Sequence, residues 1–265
     1  MSDSPILYDA SDRMALIQLN RPEAGNALNR ELITALGDAL DQAEHDAAVR
    51  SVVITGVGDT FCAGGDLRTL GPIDSYDTRM VRGRQMLQTN AAFRRIEAMP
   101  KPVIAAVNGP ARAGGLELIL CCDLVVAARS ATISEGHSTH GQLPGAGGSI
   151  RLPRKIGTTR AKYMLFTGDA FAAQTMMDWG LVNEVVDDAG LMDAVRRLAG
   201  ELAHKSPISL RWMKQLVDDG LGQPLDSALR LEILAAELNL GSEDMAEGME
   251  AIRGGRAPVF PDAQF

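Results

Sequence analysis

Apolar positions along the chain follow two periods. Short aliphatic and β-branched runs at Met14–Leu19 (MALIQL), residues 51–55 (SVVIT), Val103–Val107 (VIAAV) and Leu124–Ala128 (LVVAA) predict strands. Arg21-Pro22 ends the first, and a glycine-rich turn follows the second. Between the strands the spacing becomes helical. Leu32, Leu36, Ala39 (or Leu40) and Ala43 share one face, with Asn29 placed to cap the helix start. Residues 80–99 predict a long helix stopped by Pro100 and Pro102, and residues 115–122, 159–167 and 172–180 predict shorter ones, with residues 181–186 leading on to the next segment. Such alternation predicts an α/β fold whose sheet is largely parallel and whose crossovers are helical.

The last ~75 residues lose the strand signal and predict a helical region. Residues 191–204 form one helical run, Ser206-Pro207 supplies a helix start, residues 225–238 form another run, and Ser242 caps a last helix ending near Gly254-Gly255. This divides the chain into a core, residues 1–195, and a C-terminal helical region, residues 196–265, expected to pack on its own body or on neighbouring subunits. No internal repeat or low-complexity stretch is visible.

Composition changes this picture little and excludes several function classes. Across 265 residues, 46% are hydrophobic and 23% charged, which is ordinary for a globular protein. A net charge of −8 argues against a nucleic-acid partner but leaves room for a local basic patch around an anionic small ligand. The three cysteines, Cys62, Cys121 and Cys122, do not make a disulfide framework, so a reducing, cytoplasmic setting is expected. The acidic N-terminus lacks a secretory apolar segment, and no run reaches the ~18 uncharged apolar residues of a membrane span, so no membrane partner is expected.

Candidate chemistry concentrates in residues 108–123, NGPARAGGLELILCCD, where one carboxylate, Glu117, sits in an apolar run behind Gly114 and Gly115. Carboxylates are seldom buried without a partner or a purpose. A helix starting at the glycines presents backbone N–H groups with no partners inside the helix, which favour an anion. An acid/base group one turn from such donors suits proton transfer beside a stabilised oxyanion. The alternative is a Glu satisfied by local hydrogen bonds. Other chemistries find no support: there is no P-loop, no dinucleotide-binding GxGxxG and no GxSxG elbow. His137 and His140, with Glu135, invite a metal reading, but nothing completes the site, and no metal is expected. Ser138 between the two histidines is an equally weak nucleophile candidate, and His45 and His204 fall in solvated helical stretches.

Six segments, in order, resemble the enoyl-CoA hydratase/isomerase (crotonase) superfamily along nearly the whole chain. They are NRPEAGNALN (20–29), VVITGVGDTFCAGGDL (52–67), KPVIAAVNGPARAGGLELILCCDLVVAA (101–128), GQLPGAGGSIRLPRKIG (141–157), LFTG (165–168) and GLVNEVV (180–186). The resemblance implies a crotonase (ClpP-like) spiral of repeated ββα units with a C-terminal helical region, assembled as a homotrimer or a dimer of trimers. It implies an acyl-CoA substrate and no separate cofactor, since coenzyme A arrives with the substrate.

By the same resemblance, Gly65 and Gly114 supply the backbone N–H groups of an oxyanion hole for a thioester enolate. The run Gly65, Asp66, Leu67 and Arg68 lines the acyl-CoA site together with Gly114. Glu117 matches the first of the two glutamates that hold a water in the hydratases. The second falls on His137, a departure from the pattern, with Glu135 two residues earlier as a further candidate that strand alternation aims to the same side. Gly25 also departs, standing where many relatives carry a basic residue for the coenzyme. Hydration or dehydration of an enoyl-CoA is the leading expectation. Double-bond isomerisation, carbon–carbon bond hydrolysis of a free diketone on the same fold, and a non-catalytic acyl-CoA binder are the alternatives.

Overall fold

The four apolar runs become neighbouring strands of one sheet in the computed structural model, which describes residues 4–68 and 74–263. Its six strands are β1 (Ile6–Ser11), β2 (Met14–Leu19), β3 (Ser51–Gly56), β4 (Val103–Val107), β6 (Leu124–Ala128) and β9 (Glu184–Val186), and they lie side by side in that order. β1 pairs antiparallel with β2, Ile6 opposite Leu19, and every later pairing is parallel. All residues of β3 and β4 are buried, as expected for central parallel strands covered on both faces. A second, smaller sheet joins β5 (Ala111–Arg112), β7 (Thr132–Ser134) and β8 (Ala170–Ala172).

Helix α1 (Arg30–His45) starts where Asn29 predicts: the Asn29 side chain accepts from the Leu32 N–H at 2.9 Å, and Leu32, Leu36, Ala39, Leu40 and Ala43 are buried. Helix α2 (Tyr76–Ala98) begins four residues before the predicted start, behind a Ser75–Thr78 capping box, and buries only Ala92, Phe93 and Ile96 from its last turns. Its earlier turns expose Tyr76, Met80, Val81 and Leu87. Helix α3 (Gly114–Leu120) is buried throughout. Helices α4 (Gly148–Ile156), α5 (Thr158–Thr167) and α6 (Ala173–Asp178) follow, then α7 (Leu191–Ala203), which packs on β3, β4 and β6.

The division at residue 195 falls inside α7, where Leu191, Ala194, Val195 and Ala199 are buried against the sheet. By packing, the peripheral helices are therefore α8 (Pro207–Gly220), α9 (Leu225–Leu240) and α10 (Glu243–Gly254). Ser206 and Ser242 cap α8 and α10 as their positions predict. Lys214 ties α8 to the core, donating to Asp123 Oδ2 at 2.8 Å and to the Ile96 carbonyl at 3.1 Å. Met213 and Val217 of α8, Leu221 just after it, and Leu231, Leu234 and Leu238 of α9 are exposed. Among the described residues no helix is long and apolar enough to cross a membrane.

Candidate active site

Three extended segments run side by side beneath the site. Asn108, at the end of β4, accepts from the Gly56 N–H at 3.0 Å and donates to the Gly58 carbonyl at 2.9 Å, fastening the turn after β3 to the turn after β4. Cys62 then bridges Ala111, and Arg112 N–H donates to the Cys62 carbonyl at 2.9 Å. On the other flank Leu28 N–H donates to the Gly64 carbonyl at 2.7 Å and Asp66 N–H to the Leu28 carbonyl at 3.0 Å. The glycine pairs thus meet where the backbones approach closely. A Cβ on Gly115 would stand 2.3 Å from the Cys62 carbonyl oxygen, a separation no side chain tolerates.

The meeting of the two pairs brings together the nitrogens that the sequence singles out. A Cβ on Gly114 would lie 3.5 Å from the Gly65 nitrogen, which places the two amide nitrogens within roughly 6 Å of each other. Neither N–H has an acceptor among the described residues; Gly114 is the first residue of α3, where helical N–H groups go unpaired. Ala113, just before it, holds φ at 48°, a left-handed value uncommon for a residue with a side chain. Gly65 faces open space: a Cβ there would meet nothing within 4 Å.

Glu117 lies one turn into α3 and is 3% exposed. Its Oε1 accepts from the Ala146 N–H at 2.8 Å and from the Gly148 N–H at 2.9 Å. Its Oε2 has no partner among the described residues. Burial pushes the carboxyl above its ordinary value, against the two N–H bonds and the His137 charge, which pull it down. The donating loop is itself held. Arg151 of α4 donates to the Ala146 carbonyl at 2.6 Å and grips Glu97 of α2 with two bonds, Nε to Oε1 at 2.5 Å and the second to Oε2 at 2.6 Å. Nothing in the sequence marks Ala146, Gly148, Arg151 and Glu97 as supports of Glu117, because their role comes only from the loop folding back over α3. Arg151→Met is expected to leave the fold in place and lower turnover about tenfold or more by loosening that loop, measured by steady-state kinetics beside a melting curve.

His137 and Glu135 are partners, where strand alternation sets them as rivals on one side. β7 ends at Ser134, Gly136 turns the chain with φ at 67°, and the Glu135 carboxylate reaches round to His137 Nδ1 in a close contact. Its other oxygen accepts from the His137 N–H at 3.2 Å. Glu135 is 1% exposed. Burial alone would lower the His137 imidazole, but the hydrogen bond and charge of Glu135, with the charge of Glu117, lift it above its ordinary value. In turn the His137 charge favours the ionised form of Glu117, and the Glu135 charge opposes it.

The segment after Gly65 divides. Asp66 is buried and paired with Arg21 at 2.8 Å, so its carboxylate holds the loop to the turn after β2, and that pairing keeps it below the usual carboxylate range despite burial, which acts the other way. Leu67 and Arg68 are exposed, and the Arg68 guanidinium lies 3.8 Å from Asp66 Oδ1. His140 stands exposed in the short turn at Ser138–His140, and among the described residues no three His, Cys, Asp or Glu side chains gather as a metal site would need. Burial pushes the Cys62 and Cys122 thiols up to about 12 and raises Cys121 as well, so none is a thiolate nucleophile near neutrality.

The profile of the enoyl-CoA hydratase/isomerase family matches residues 9–263. The chain belongs to that family. It is 37% identical over 263 residues to the crotonyl-CoA hydratase of Syntrophomonas wolfei, covering 98% of this chain and 99% of that one. It is 36% identical over 260 residues to the 1,2-epoxyphenylacetyl-CoA isomerase of Escherichia coli, covering 96% and 97%. A crystal structure of an enoyl-CoA hydratase from Bacillus anthracis superposes with a TM-score of 0.92 at 35% identity, over 98% of this chain and 100% of that one. The fold is accordingly the crotonase fold with its C-terminal helical region.

Proposed function

We propose that this chain adds water reversibly across the double bond of an enoyl-CoA thioester. The observation that carries the reading is Glu117: a buried carboxyl with one oxygen fixed by two backbone N–H groups and the other unpartnered, one turn from the unpaired amides of Gly65 and Gly114. As the water oxygen bonds to the β-carbon, Glu117 Oε2 takes a water proton. The alkene electrons move onto the thioester oxygen, where the Gly65 and Gly114 N–H groups hold the enolate. His137, as imidazolium, gives the α-carbon its proton, and the carbonyl re-forms. The pair ends with its proton on Glu117 and resets by exchange with solvent. A raised Glu117 value makes the carboxylate a stronger base, and a raised His137 value keeps the acid charged near neutrality. The reaction so written needs no cofactor beyond the coenzyme A on the substrate.

Isomerisation needs a single acid/base group, and the second one, on His137, is what favours hydration here. Crotonyl-CoA should lose its conjugated enoyl absorbance in the presence of the protein and give the β-hydroxy product. Binding of crotonyl-CoA without turnover would overturn the reading. The rate should rise with pH through a midpoint above 4.5 as Glu117 ionises, and fall through a midpoint above 6.5 as His137 loses its proton.

The exposed apolar faces of α8 and α9 support assembly into a trimer or a dimer of trimers, and the three buried unpaired cysteines fit a reducing, cytoplasmic compartment. Light scattering at micromolar concentration should give a mass of three or six chains; a particle of 28.2 kDa would exclude the assembly.

A further inference from the structure

We infer that Glu135 is a positioning residue for the reaction: it fixes the His137 ring through Nδ1, so that Nε2 is the nitrogen presented to the substrate and Glu135–His137 replaces a single carboxylate as a two-residue unit. The inference rests on the hydratase reading above and extends it to a residue that does not itself touch the reacting atoms.

Four hydrogen bonds hold His137 in place. The Glu135 carboxylate takes the ring Nδ1 with one oxygen and the His137 backbone N–H with the other. The His137 carbonyl accepts from the His140 and Gln142 N–H groups, each at 3.0 Å. Gly136 makes this reach possible, since its positive φ folds the chain so that a residue two positions back faces the ring. Nε2 is left without a partner among the described residues, and it is not among the buried side-chain atoms sealed off unpaired. Glu117 Oε2 is in the same condition. The two atoms the mechanism uses are thus both open, while the far side of each group is held.

The chemistry follows from the tautomer. A ring whose Nδ1–H is held by a carboxylate, and which gives up its other proton, must give it from Nε2 and remain as the Nδ1–H form. Glu135 therefore selects which nitrogen acts and, by its charge, keeps the proton available to higher pH. Among the described residues, the charges that act on the ring are those of Glu135 and Glu117.

The test compares the full-length wild type with Glu135→Gln and Glu135→Asp. In ¹⁵N spectra, with the His137 signals assigned by their loss in His137→Asn, the neutral wild-type ring should carry its proton on Nδ1. Glu135→Gln should shift the His137 titration and the alkaline limb of the rate together to lower pH, by about one unit, the scale of a lost opposite charge. Glu135→Asp should recover part of that shift. A wild-type ring protonated on Nε2 when neutral, or a His137 titration unmoved in Glu135→Gln, would overturn the inference. The spectra need no substrate, so a protein that fails to hydrate any enoyl-CoA yet shows the Nδ1–H ring and the shift refutes the hydratase reading alone.

Discussion

Glu117→Gln is expected to leave the fold and acyl-CoA binding intact and to cut turnover about 10²–10⁴-fold, the scale of a lost general acid/base. The geometry makes this substitution unusually clean. The amide oxygen of Gln can still accept from Ala146 and Gly148, so the loop that Arg151 holds stays where it is. The change falls on the other side, where an NH₂ group that cannot take a proton replaces Oε2. Glu117→Ala is a poorer probe, since it leaves two buried N–H groups unpaired at a cost of about 1–3 kcal/mol each and confounds chemistry with loop disorder. Calorimetry with an acyl-CoA, beside enoyl-CoA kinetics, separates the two effects. Turnover of Glu117→Gln within a few-fold of wild type would remove the carboxylate from the mechanism.

The same contacts bear on His137→Glu, which by sequence alone restores the paired carboxylates of the hydratases. In the folded chain it places a third carboxylate against buried Glu135, which then has lost its cationic partner. Like charges in a buried cluster disfavour ionisation, so the single substitution should lower hydration. His137→Glu combined with Glu135→Gln should recover activity relative to His137→Glu, as measured by crotonyl-CoA hydration. Equal activity of the single and double variants would mean that Glu135 does not act on position 137.

Legibility of the chain follows the length scale of each feature. The central strands β2, β3, β4 and β6 and helix α1 were readable because burial on one or both faces imposes long apolar patterns, and Asn29 marks its helix start. Strand β1 was not, because its outer half is exposed at the sheet edge and mixes Tyr8, Asp9 and Ser11 into the run. β5, β7 and β8 hold two or three residues each, too few for any period to show. Helix α4 carries Gly148 and Pro153, which read as loop. At the site, Glu117 stood out as a charge in an apolar run. Glu135 as a partner of His137 did not, because its orientation depends on the Gly136 turn and not on strand alternation. Asp66 was legible as part of the segment after Gly65, but the pairing of its side chain with Arg21 was not, because the two residues lie 45 positions apart in the chain.

Gly64→Ala is expected to lower both stability and turnover, whereas Gly65→Ala should spare stability. Gly64 holds φ at 94°, where an L side chain is strained, and its Cβ would stand 2.9 Å from the Arg112 carbonyl oxygen, 3.0 Å from Ala113 Cβ and 3.2 Å from the Gly114 nitrogen. Two of those three atoms are backbone, so relief requires the FCAGGD turn to move away from the start of α3. That motion separates the Gly65 and Gly114 amides, the pair proposed to hold the enolate. The strain and crowding together should cost about 2–4 kcal/mol, and loss of one oxyanion donor about 10²–10³-fold in turnover. Gly65 sits at an ordinary backbone angle with open space where its Cβ would go, so Gly65→Ala should melt as wild type does. The new methyl then enters the space beside the amides and should raise KM or lower kcat without unfolding. Melting curves and kinetics on the two variants decide the matter. A Gly64→Ala protein with wild-type turnover would show that the spacing of these two amides does not control the reaction.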